Sequence, residues 1–125
     1  MDFKKAFDSI EWDFLFKVLK KFNFGNDFQQ WIKLLYRDPC AFVKNNGYFS
    51  DEFSLSRGVR QGCPVSSLLF ILCVEILSCM VRQNNELRGL RLDDDNSRCI
   101  KIVQYADDAT IFLKNDRELK KQCNL

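Results

Sequence analysis

Apolar residues recur along this chain with two different periods. Trp12, Leu15, Val18, Leu19 and Phe22 fall on one face at helical spacing, which predicts a helix over 10–22 with Ser9 as its N-cap. Beyond Gly25 the pattern repeats with Phe28, Trp31, Ile32 and Leu35; Asn26 or Asp27 is placed to cap this second helix and Pro39 to end it. The period then shortens. Ala41 to Lys44 and Tyr48 to Leu55 flank Asn46-Gly47, the strongest hairpin signal in the chain, because both residues tolerate the left-handed backbone of a tight turn. A run that is apolar almost throughout predicts a long helix over 66–83. Its stretch from Leu68 to Val81 is shorter than a membrane span and contains Glu75, so it reads as a buried central helix. A short segment near Leu90 follows.

The last apolar region carries the most informative residues. Ile100 to Gln104 and Ala109 to Leu113 are rich in β-branched and aromatic side chains and are bounded by polar stretches over 93–98 and 114–121, which suits two short strands. Between them stand Tyr105-Ala106-Asp107-Asp108. Two adjacent carboxylates at the tip of an apolar hairpin are costly unless a cation binds there. Magnesium is a hard ion that takes carboxylate oxygens together with water and phosphate, so it is the natural candidate once a third acid is supplied from elsewhere. Asp93-Asp94-Asp95 serve as an internal control: three acids in a polar run read as a solvated loop. The two sites differ in their flanks.

Two further segments complete the pattern. Asp2-Phe3-Lys4-Lys5-Ala6-Phe7-Asp8 opens the chain, and Arg57-Gly58-Val59-Arg60-Gln61-Gly62-Cys63-Pro64, continuing to Leu68-Leu69-Phe70, lies in its middle. With Tyr105 to Asp108 and in this order, they resemble motifs A, B and C of the reverse transcriptase palm, specifically those of non-LTR (LINE-type) retrotransposons. The resemblance runs from the first residue to about Leu113. Val65-Ser66-Ser67 depart from it, since the family often has Leu then Ser-Pro there; Ser66 remains able to cap the helix.

The resemblance implies an α+β fold, a palm-like fragment in which a small antiparallel sheet carries the acids and packs on helices, with a first strand over 2–4. It implies an RNA-directed DNA polymerase that transfers nucleotides to a primer 3′-hydroxyl with two Mg²⁺ ions, for which Mn²⁺ can substitute. Asp2, Asp107 and Asp108 are then the catalytic acids, and the Phe3 carbonyl joins them as a metal ligand. Phe7 takes the place of a steric gate beneath the sugar, with ordinary core packing beside Trp12 as the alternative. Gln61 and Gly62 lie against the templating pair, and Arg60 and Tyr105 face template and primer. The implied partners are an RNA template, a DNA primer, dNTPs and the rest of a parent polyprotein, with no membrane, inside the host cytoplasm and nucleus.

Only Met1 precedes Asp2, so the resemblance covers a partial palm spanning 1–125 without fingers, thumb or complete first strand, and the expectation is a fragment not competent alone. An inert remnant or interaction module that keeps the fold is the other reading. Composition fits one domain, since 46% hydrophobic content with 12 Phe in 125 residues is enough for a core. A net charge of +2, from 19 Lys and Arg against 17 acids, lacks the basic excess of a self-sufficient nucleic-acid binder. Lys4, Lys5, Lys17, Lys20 and Lys21 read as solvated surface. The 6 Cys show no paired short spacing and His is absent, which argues against zinc and for buried free thiols in a reducing compartment. No secretory signal pattern is visible.

Overall fold

The computed structural model describes residues 5–91 and 99–114. The strand expected over 2–4, the Asp93–Asp95 run, Lys4 and Cys123 lie outside the described residues. The chain divides into two compact units, one comprising Lys5–Cys73 and the other beginning at Val74. Helices and short antiparallel ladders are mixed along the chain, so the fold is α+β as expected.

In the first unit, α1 (Trp12–Lys21) buries Leu15, Val18 and Leu19, the stripe that the spacing predicts. Fully burying each of these side chains stabilises by about 1.5–3 kcal/mol. The expected cap does not form. Ser9 closes a 3₁₀ turn over Phe7–Ser9 and its Oγ donates back to the Lys5 carbonyl at 2.9 Å. Ile10 and Glu11 are extended, which places Glu11 at the N-cap and Ser9 two residues too far away. Lys20 and Lys21 complement the negative end of the helix.

The second helix, α2 (Asn26–Leu35), begins one position earlier than a cap at Asn26 or Asp27 allows, because Gly25 takes the cap position. Of its predicted face Ile32 is buried and Phe28 half-buried against Phe24, with ring centroids 5.0 Å apart. Trp31 and Leu35 are exposed, so the seam between α1 and α2 is narrower than the apolar stripe.

The stretch from Tyr48 to Leu55 is not one strand. The strands β1 (Cys40–Ala41) and β4 (Phe53–Ser54) pair with each other, and β2 (Lys44–Asn45) pairs with β3 (Tyr48–Phe49) across Asn46-Gly47. Ser50 makes the break. Its Oγ accepts from Val43 N and donates to the Asp51 carbonyl, both at 2.9 Å, offering the backbone an alternative to the ladder.

The long helix α3 (Pro64–Gln83) starts two residues before the predicted 66. Pro64 explains this: its fixed φ and lack of an N–H cost nothing at a first helical position, so Ser66 lies inside the first turn and is not the cap. At 20 residues the helix is long and apolar enough to cross a membrane by length and composition, which removes the argument from length. Its burial is one-sided. Ser66, Leu69, Phe70, Cys73, Ser78 and Val81 are buried, whereas Leu68, Ile71 and Met80 are exposed, and Glu75 forms an ion pair with Arg82.

The second unit contains β5 (Leu90–Arg91) paired with β6 (Cys99–Ile100), and β7 (Ile102–Tyr105) paired with β8 (Asp108–Ile111). The predicted strands around the acids are therefore present. Lys101 Nζ donates to the carbonyls of Arg82 at 2.9 Å and Asn84 at 2.7 Å, satisfying groups that the end of α3 leaves open. Ser78 Oγ donates to Gln104 Oε1, a polar tie between α3 and β7. The expectation of buried thiols holds for Cys73; Cys40 and Cys99 are exposed.

Candidate functional site

The two segments nearest the chain's start and middle are joined directly. Val59 N donates to the Phe7 carbonyl at 2.8 Å, Gly58 N to that of Ile10 at 2.7 Å, and Trp12 Nε1 to that of Gly58 at 2.8 Å. Such close approach needs glycine. Gly58 has φ +96°, and a Cβ there would sit 3.2 Å from Asp8 Cα and 3.3 Å from its carbonyl oxygen.

Once the backbones are docked, the side chains follow. Gln61 Nε2 donates to Asp8 Oδ1 at 3.4 Å, and the half-buried Phe7 ring stacks on Phe70 with centroids 4.6 Å apart. Arg60, Gln61 and Gly62 are exposed beside these groups. An open cleft of about 810 Å³ runs past Asp8, Trp12, Tyr36, Gly58, Arg60 and Gln61, within the size range of small-ligand sites. Phe7, Arg60, Gln61 and Gly62 thus belong to one unit.

The acids belong to the other. Ala106 and Asp107 form the turn between β7 and β8, and Asp108 opens β8 opposite Tyr105. All four residues are exposed. Ala106 has φ +53°, a left-handed conformation that costs a residue with a Cβ about 1–2 kcal/mol. Below the tip the alternation is regular: Ile102 and Gln104 are half-buried while Val103 and Tyr105 are exposed. Ala109 is buried.

Asp2 and Phe3 lie outside the described residues. Among the described residues no three His, Cys, Asp or Glu side chains gather into a metal cluster, and neither Asp107 nor Asp108 is held in an ion pair. Two adjacent hard oxygen donors with no cationic neighbour to neutralise them fit part of the shell of a Mg²⁺-like ion, which shares its coordination with water and phosphate.

Sequence reasoning overlooked four participants. Asp8 holds Gln61, Phe70 carries the Phe7 ring, Trp12 fixes the Gly58 carbonyl, and Ser78 ties down Gln104. A serine in an apolar helix and a glutamine in an apolar strand are the only local signals among them. The rest depend on which distant segments meet.

Over residues 1–125 the chain matches the family model described as reverse transcriptase (RNA-dependent DNA polymerase), and it belongs to that family. It is 33% identical over 125 residues to the transposon TX1 uncharacterized 149 kDa protein of Xenopus laevis, covering 98% of this chain and 9% of that protein. It is 31% identical over 112 residues to a retrovirus-related Pol polyprotein from a type-2 retrotransposable element of Drosophila melanogaster, covering 90% of this chain and 10% of the relative. A type-1 element R2 polyprotein of Popillia japonica is 26% identical over 95% of this chain and 19% of its own length. These relatives are retrotransposon Pol proteins of the non-LTR branch, and the chain spans about a tenth of the first two.

Proposed function

We propose that this chain is the palm portion of a non-LTR retroelement reverse transcriptase, which in its parent protein extends a primer 3′-hydroxyl by nucleotidyl transfer on an RNA template. The observation that carries the reading is the docking of Gly58-Val59 onto Phe7–Ile10, which sets Phe7 and Gln61 within one site. Asp2, the Phe3 carbonyl, Asp107 and Asp108 are the groups to hold two Mg²⁺ ions, or Mn²⁺ in their place. When bound, such ions neutralise phosphate charge and make a hydroxyl a better nucleophile.

The chain's own residues do the selecting. Phe7, braced by Phe70, places a rigid ring where the sugar lies, so a 2′-hydroxyl meets a wall with no polar partner. Gln61, steadied by Asp8, offers a donor and an acceptor to the templating pair, and Gly62 allows close backbone approach. Arg60 contacts phosphate and Tyr105 supports the primer end by ring-to-base contact. A formal charge of +2 offers little grip on nucleic acid, so the isolated chain is proposed to be inactive and the parent protein active. The proposed place of action is the host cell's cytoplasm and nucleus.

The test is extension of a DNA primer on an RNA template by the longer Pol protein carrying this segment. The expected result is extension with dNTPs that requires Mg²⁺, disappears in Asp107→Asn, and begins to accept rNTPs in Phe7→Ala. Absence of extension by the unaltered protein, or equal extension by Asp107→Asn, would support the inert module instead.

A further inference from the structure

Cys63 precedes Pro64, the first residue of α3, and so occupies the N-cap of a 20-residue helix. Because proline has no N–H, the first backbone donors of that helix are those of Val65 and Ser66, and both serve the Cys63 sulfur. Arg60, one turn back along the loop, adds a positive charge close by. Together these groups, with the Val65 N–H foremost and the Ser66 hydroxyl and backbone contributing, hold the Cys63 thiol below its ordinary pKa despite some burial.

A second observation points the same way. Ser66 is buried, 2% exposed, and its Oγ has no hydrogen-bond partner. A buried hydroxyl left unsatisfied is unfavourable. A thiolate at Cys63 supplies the acceptor that this hydroxyl lacks, because Ser66 lies within the first turn above the sulfur. The other groups facing the cluster are neutral: Tyr36 of α2, whose phenol is pushed up chiefly by burial, and Cys73, pushed up to about 11 by burial.

The remaining described cysteines are unlike Cys63. Cys40 is exposed, but Glu52 beside it raises its pKa. Cys99 is exposed and its Sγ donates to the Arg88 carbonyl at 2.6 Å. Cys79 lies between Glu75 and Arg82. Exposure and thiolate stabilisation therefore select different residues.

We propose that Cys63 is a selectively reactive thiol and a modification site for small disulfides. Its thiolate attacks one sulfur of the disulfide, the S–S bond breaks, a mixed disulfide forms at Cys63, and the departing thiolate takes a proton from water. The adduct sits next to Gly62, on the exposed Arg60–Gly62 loop, and a reductant removes it. This chemistry does not depend on the polymerase reading.

The test is peptide mass mapping of the chain after brief exposure to oxidised glutathione across pH 6–9. At pH 7 Cys63 is expected to gain glutathione at least about threefold faster than Cys40 or Cys99, with a rate that levels off at lower pH than theirs. Ser66→Ala and Arg60→Gln are each expected to slow Cys63 and leave Cys99 unchanged. Buried Cys73 reports folding in the same map, and if it becomes reactive in Ser66→Ala, the surface change Arg60→Gln decides. A rate at Cys63 no faster than at Cys40 or Cys99, or unchanged in a folded Arg60→Gln protein, would overturn the proposal.

Discussion

Two hairpins in this chain have the same plan and opposite economies of strain. In β2–β3 the turn residues are Asn46 at φ +49° and Gly47 at φ +85°, the residue types that such a turn favours, and the strands around them are only two residues long and exposed. In β7–β8 the turn begins at Ala106 with φ +53°, an unfavourable choice, yet the strands pair over four positions and are tied to α3 by Gln104 and Ser78. The first hairpin is specified by its turn. The second is specified by its body, which holds a strained tip that presents two acids. Local strain of this kind persists where the surroundings over-determine it.

The sharpest separation is catalytic. In the longer Pol protein, Asp107→Asn is expected to lower primer extension by about a thousandfold or more, whereas Asn46→Asp at the corresponding tip leaves it near the unaltered rate; single-turnover extension measures both. Next comes the support beneath the acids. Gln104→Leu strands the buried Ser78 hydroxyl and is expected to cost about 1–3 kcal/mol in urea unfolding, and adding Ser78→Ala to it should recover part of that loss.

The turns themselves should respond with opposite signs. Gly47→Ala is expected to destabilise by about 1–2 kcal/mol, while Ala106→Gly removes left-handed strain, partly offset by backbone entropy, and stabilises by up to about 1 kcal/mol. A loss of stability in Ala106→Gly would break the contrast. The smallest effect belongs to the exposed strand of the first hairpin, where Tyr48→Ser is expected to change stability by no more than about 0.5 kcal/mol.

The contrast also explains what could be read from the chain. Asn46-Gly47 and the Leu15, Val18 and Leu19 stripe were legible because their signals are local: turn chemistry and helical spacing. The start of α3 was misjudged because Ser66 was weighted as a cap while Pro64, a better first helical residue, stood two positions earlier. Trp31 and Leu35 share the predicted face of α2 yet remain exposed, since periodicity reports which residues align and not how wide the neighbouring surface is. The docking of Gly58 on Asp8 spans about fifty residues of sequence and left no trace in either segment alone; Gly58 was noted only as part of a motif. Ser50 broke a predicted strand through side-chain bonds that alternation cannot encode.

The central claim is that the Ala106–Asp108 tip, unlike other acidic stretches of the chain, is a cation site shared with Asp2. Mn²⁺ binding followed by electron paramagnetic resonance tests it most directly, in the unaltered protein and in Asp107→Asn, Asp2→Asn and a variant with Asp93, Asp94 and Asp95 all changed to Asn. The account predicts weaker binding in each of the first two variants and none of that loss in the third. Equal affinity in Asp107→Asn and the unaltered protein, or a loss confined to the Asp93–Asp95 variant, would contradict it.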